Sequence, residues 1–214
     1  MNSLIEFWRD VPGDATWHPA DYDVLHRVNH GFQLDCLPGP FNGRLKTAPI
    51  VLLALSPGYL PSDSVYAASA EGQDYYARSR NGDCDLPSAA EHEGSQGWSK
   101  RIIKQFGVDY DDARSKIAFV NMGAYKSKNF NDWPMLSALP SCRAALSWAQ
   151  SDLFPQAEAG DRIVICLRSA KYWGLHEGVF GESLFVPKFT RGGIMCHGPL
   201  RDHIVDRVRG AIAA

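Results

Sequence analysis

The sequence predicts an α/β domain with an open, mostly parallel sheet, and its apolar patterning carries that prediction. Short apolar runs, IVLLAL at 50–55, IAFV at 117–120 and IVICL at 163–167, each stop abruptly at polar or turn residues. Runs of this kind read as strands buried on both faces. Between them lie stretches whose apolar residues recur at helical spacing. Alternation of strand and helix implies right-handed crossovers and parallel strands, and 214 residues suit one such domain.

Taken in order, residues 1–46 read as an N-terminal extension packed on a single domain that spans 1–214. Ser3 and Glu6 have capping-box spacing, which turns Ile5 and Trp8 toward the core from a short helix. Leu37 to Gly43, LPGPFNG, reads as loop. The first strand, Ile50 to Leu55, ends at Ser56-Pro57-Gly58. Residues 59–97 form a long insertion rich in Tyr, Ser, Ala, Asp and Gly. Insertions of that length serve as lids, binding elements or partly helical excursions. Trp98, Ile102, Ile103 and Phe106 then make one apolar helical stripe. The second strand, Lys116 to Val120, ends at Asn121. Pro140 can open a helix carrying Ala144, Ala145 and Trp148. The third strand, Arg162 to Leu167, ends at Arg168. A fourth is expected at Gly193 to Cys196, ending at His197, with Phe185 and Val186 as at most a short extra strand. Pro199 opens the last helix, where Leu200, Ile204, Val205, Val208 and Ile212 share a face.

Composition narrows the function classes. Hydrophobic residues are 45% and charged residues 21% of the chain, ordinary values for a globular protein. A net charge of -2 gives no support to strong non-specific polyanion binding, although local clustering matters more than the total. The five cysteines include no short-spaced pair. Cys166 and Cys196 fall in or beside apolar runs, so free thiols and a cytoplasmic location are expected. The opening MNSLIEFWRD does not read as a secretory signal. No apolar stretch reaches the ~18 residues of a membrane span, and a monomer is expected. GxGxxG after a strand, the P-loop, HExxH and GxSxG are all absent. His and Cys are too scattered for a zinc or iron–sulfur site. No metal or cofactor is expected.

Ligands in open α/β sheets bind beyond the carboxyl ends of the strands. The tips here read Ser56-Pro57-Gly58, Asn121-Met122-Gly123, Arg168-Ser169-Ala170 and His197-Gly198-Pro199. They combine an amide, a guanidinium fork and an imidazole that titrates near neutrality. Strands that simply end in polar turns are the plainer explanation. His197 stands first among the histidines, with His92 and His176 below it. Positive charge gathers near the same tips: Arg44 and Lys46, Lys126 and Lys128, Arg168 and Lys171, then Lys188, Arg191 and Arg201. With Tyr59, Tyr125, Tyr172 and Trp173 among them, this local basic rim can serve DNA or merely solvate loops.

The stretch TAPIVLLALSPGY at 47–59 resembles the first motif of the uracil-DNA glycosylase superfamily, in its mismatch-specific and single-strand-selective branches. IAFVN is similar to the family strand that ends in a base-facing Asn, and IMCHGPL to its His-Pro-Ser-Pro-Leu type motif. The resemblance runs from about residue 40 to the C-terminus. It implies a three-layer α/β/α fold around a central, mostly parallel four-stranded sheet. It also implies cleavage of the N-glycosidic bond of a modified or deaminated base in DNA. Asn121 would bind the base, and His197 would stabilise its departing anion. Ser56 takes the place of the Asn or Asp that handles water. Pro57, Gly58, Tyr59, Gly198 and Arg168 would contact substrate, and Leu200 falls near the wedge residue. The chain departs from the family at Ser56, a poor water activator without a paired base, and at the shortened Gly198-Pro199. A non-catalytic DNA-binding module and a nucleoside or nucleotide hydrolase remain as alternatives.

Overall fold

A computed structural model describes residues 4–214. The chain is mixed α/β, with six strands in one sheet. These are β1 Phe41–Asn42, β2 Ile50–Ala54, β3 Ile117–Asn121, β4 Ile163–Cys166, β5 Gly178–Phe180 and β6 Leu184–Val186, in the order β1-β3-β2-β4-β6-β5. The inner four, β3, β2, β4 and β6, are parallel, and antiparallel β1 and β5 close the edges.

The strands are apolar throughout because both faces are covered. Val51, Leu53, Ala118, Val120, Val164 and Cys166 point to one side, where Trp8, Cys142 and Ala145 meet them. Ile50, Leu52, Ile117, Phe119, Ile163 and Ile165 point to the other, onto Ile102, Ile103, Ile204 and Val208. The alternation of side chains across a strand explains this division. The expected helices form at Ala89–Ile103, Pro140–Trp148 and Pro199–Ala213, the last two with proline in the first turn.

Two expectations about the sheet are corrected. It has six strands rather than four, and its fourth parallel strand is β6, not Gly193–Cys196. Leu184, Phe185 and Val186 are all buried, whereas Ile194 is 49% exposed. A strand inside this sheet needs both faces apolar, and residues 193–196 offer only one. They instead return along 188–190 as a hairpin. Cys196 donates its N–H to Lys188 O at 2.8 Å, and Thr190 donates to Ile194 O at 2.8 Å. Within the expected loop at 37–43, Phe41 and Asn42 pair with Val120 and Phe119 as an edge strand.

The N-terminal segment packs on the domain. Leu4, Trp8 and Leu25 are buried in the first core, while Ser3 of the expected capping pair lies outside the described residues. Arg80, itself buried, donates from Nη1 to Val11 O at 2.9 Å and Pro12 O at 2.7 Å. Burial pushes Arg80 down to about 10. The insertion is helical, with Pro61–Ala68 and Ala70–Ser79 leading into Ala89–Ile103. No helix among the described residues is long and apolar enough to cross a membrane.

Candidate functional site

Register places the site. Ile50 lies level with both Ile117 and Ile163. The strands then run together, so Ala54 is beside Asn121 and Leu53 beside Cys166. The tips of β2, β3 and β4 therefore end side by side, with β2 in the middle. Its tip, Ser56-Pro57-Gly58, forms a ridge between two cavities and belongs to the wall of both, as do Trp98 and Arg101.

The first cavity, of about 380 Å³, lies over β2 and β3 and includes Asn42, Tyr59, Asp63, Ser95, Phe119, Asn121 and Lys126 in its wall. Asn121 donates Nδ2–H to Gly39 O at 2.8 Å, which fixes the amide and leaves its carbonyl oxygen as the free acceptor. Asn42 is held from both ends, accepting from Tyr75 OH at 2.7 Å and donating to Ser95 Oγ at 3.0 Å. The Trp98 ring lies 4.7 Å from that of Phe119, and together they form an aromatic wall.

A charged group sits in the wall beside them. Asp63 is buried and accepts Leu60 N–H at 2.7 Å through Oδ2. Its Oδ1 is 3.2 Å from Lys126 Nζ and 3.7 Å from His92 Nε2. Burial opposes the Lys126 charge, but Tyr76 and Asp63 more than offset it, so Lys126 stays protonated. Burial, and then Lys126, push His92 down to about 4. Its Nδ1 accepts Ser95 N–H at 3.2 Å, so the neutral ring carries its proton on Nε2, toward Asp63. His92 also breaks the helix: its φ of -165° and ψ of 88° are non-helical.

The second cavity, of about 340 Å³, lies over β2 and β4. Arg101, Lys128, Arg168 and Arg191 line it, with Ser127, Phe130 and Ser169 between them.

Of the residues singled out by sequence, Ser56, Pro57, Gly58, Tyr59 and Asn121 meet at the first cavity, and Arg168 joins the β2 tip at the second. His197, Gly198 and Leu200 line neither. His197 is exposed, with Nδ1 3.3 Å from Arg201 Nη1, and Leu200 leans on the second core. Two of the aromatics considered for stacking pack inward. Tyr125 is buried with its hydroxyl donating to Asp21, and Trp173 is fully buried. The basic rim is thinner than the sequence suggests, because Lys126 is a buried partner of Asp63. Asp63, Trp98 and Arg101 had no signal as site residues. Trp98 read as core, yet it is 36% exposed. No protein-family model, curated protein or solved structure matches this chain, so the reading of the site rests on its own residues.

Proposed function

We propose that the chain is a DNA glycosylase-like hydrolase that cleaves the N-glycosidic bond of a modified or deaminated base held in the first cavity. One observation carries the reading: a recess with room for a base combines an aromatic wall, a fixed amide acceptor at Asn121 and a buried carboxylate at Asp63. An extruded base would stack on Trp98 and donate an N–H to Asn121. The β2 tip, through Ser56, would position water. Water adds to the anomeric carbon, and the C–N electron pair leaves with the base. The proton lost by water passes to solvent. His197, which lines neither cavity, is given no part in this step.

The test is a screen of single-stranded and duplex oligonucleotides bearing uracil, hypoxanthine, xanthine and bulky pyrimidines, scored for abasic product. One of them should react. Asn121→Ala should then lose roughly 1–3 kcal/mol of base recognition while staying folded, with no more stability lost than the one hydrogen bond to Gly39 O, about 1 kcal/mol. Product with none of these bases at high enzyme concentration sinks the catalytic reading. The rival is a binding module of the same shape, favoured by Ser56 at the water position and by a His197 that lines neither cavity. Its signature is salt-dependent oligonucleotide binding without product.

A further inference from the structure

Several cations of this chain are paired with carboxylates, Arg44 and Lys46 at the amino end of β2 among them. Lys46 reaches Asp83 at 2.7 Å, Lys188 reaches Glu177 at 3.2 Å, and Arg44 pairs with Asp85. The cations around the second cavity do not. Arg101, Lys128, Arg168 and Arg191 have no carboxylate at ion-pair distance among the described residues, and no Asp or Glu lines the cavity. Like charges gathered around one recess repel, and an anion entering it relieves that repulsion.

The recess is also held in shape. Arg168 donates from Nη2 to Arg191 O at 2.7 Å and to Thr190 O at 3.3 Å. The hairpin after β6 thereby fixes this guanidinium over the β4 tip. Gly193 at the hairpin turn has φ +81°, and a Cβ there would lie 3.3 Å from Arg168 Nη2. Ser169 lines the cavity with φ +63°, the only non-glycine residue at positive φ among those described. Left-handed geometry at such a residue is retained where the surroundings impose it, and it concentrates at ligand sites. Lys128 Nζ stands 5.4 Å from the Tyr59 ring centroid, which ties it to the first cavity.

We propose that the second cavity is a phosphate subsite. It takes the phosphate ester of a ligand whose base enters the first cavity across the Ser56–Gly58 ridge. The phosphate assignment stands on these cations alone. What the phosphate is attached to rests on the reading of the first cavity as a base site. A single-stranded nucleic acid and a free nucleotide share this chemistry. Phe130, on the cavity wall, leads outward to Trp133 at 5.0 Å and then to Tyr172, stacked on Trp133 at 4.8 Å. Further bases of a strand would stack along this track.

The test is calorimetric titration of the full chain, first with inorganic pyrophosphate at low salt. Binding is expected, and it should weaken as salt rises. Arg101→Gln and Arg168→Gln should each weaken it about tenfold or more, the worth of one charge-assisted hydrogen bond. Lys188→Gln, which removes a paired cation, should leave it unchanged. Arg101→Gln does not touch the hairpin, so its result does not depend on the hairpin staying folded. No pyrophosphate binding, or binding indifferent to both arginine variants, overturns the subsite. Nucleoside 5′-monophosphates and a single-stranded oligonucleotide follow. Tighter binding of the oligonucleotide alone assigns the phosphate to a nucleic-acid backbone, and equal gain with the monophosphate assigns it to a free nucleotide. If pyrophosphate binds but neither base-bearing ligand binds more tightly, the phosphate subsite stands and the base reading of the first cavity fails.

Discussion

Lys126 in the wall of the first cavity is buried and 3.2 Å from Asp63, whereas Lys128, Arg168 and Arg191 in the second, with Arg101 on the wall the two share, are exposed and have no carboxylate at ion-pair distance among the described residues. The same sheet edge builds both, yet their electrostatics answer different ligands. In the first, the polar groups have largely satisfied one another, and what remains is a fixed acceptor and a flat aromatic wall. Such a site selects by shape and hydrogen bonding, since a ligand that leaves its buried groups unpaired is rejected. In the second, the charge is left for a ligand to neutralise, which favours capture over discrimination. A substrate that carries a neutral aromatic part and an anionic part would use both.

The contrast is most exposed at Lys126. Lys126→Ala should destabilise the fold by about 3–5 kcal/mol, because it strands the Asp63 carboxylate in a buried place. Urea unfolding measures this directly. A loss below about 1 kcal/mol would mean the pair is solvated, and the two cavities would then be electrostatically alike.

Acid should reveal the same difference. The folded value of His92, about 4, lies below its ordinary value of 6.5. The unfolded chain therefore binds the proton more readily. The stability that comes from keeping this ring neutral is complete above pH 6.5 and is lost as pH falls toward 4. At ~1.4 kcal/mol per pKa unit the loss is about 3 kcal/mol. Melting curves between pH 7 and pH 4 should show it, and His92→Gln should flatten that dependence. An equally steep fall in the variant would assign the acid sensitivity to other groups.

The smallest effect is expected in the second cavity. Arg101→Gln should change stability by no more than about 0.5 kcal/mol, as for exposed side chains without partners. At low salt the change should favour the fold slightly, since a repelling charge is removed. Marked destabilisation would make Arg101 structural, and the cavity's charge would then owe nothing to a ligand.

Much of this architecture was legible in the sequence. Runs such as IVLLAL and IVICL mark β2 and β4 within about a residue, because a strand covered on both faces must be apolar throughout. Their abrupt polar ends point to Ser56, Asn121 and Arg168, and parallel strands in register bring those ends together. The segment at Gly193–Cys196 misled because its residues resemble a strand end. Gly193 turns the chain, and Ile194 stays exposed, so the sheet takes Leu184–Val186 instead.

What the sequence by itself determined is local: which segments are strands, where they stop, and which proline starts which helix. These follow from the periodicity of apolar residues and from backbone chemistry within a few positions. Only the tertiary structure decided which charges are spent and which are free. Asp63, His92 and Lys126 are remote in sequence and meet because the insertion after β2 folds back over the β3 tip. Lys126 and Lys128 both follow the β3 tip two residues apart, and no local pattern tells the buried one from the exposed one. The difference lies in whether a carboxylate reaches them from a distant part of the chain, and Coulomb energy depends on distance in space rather than along the sequence.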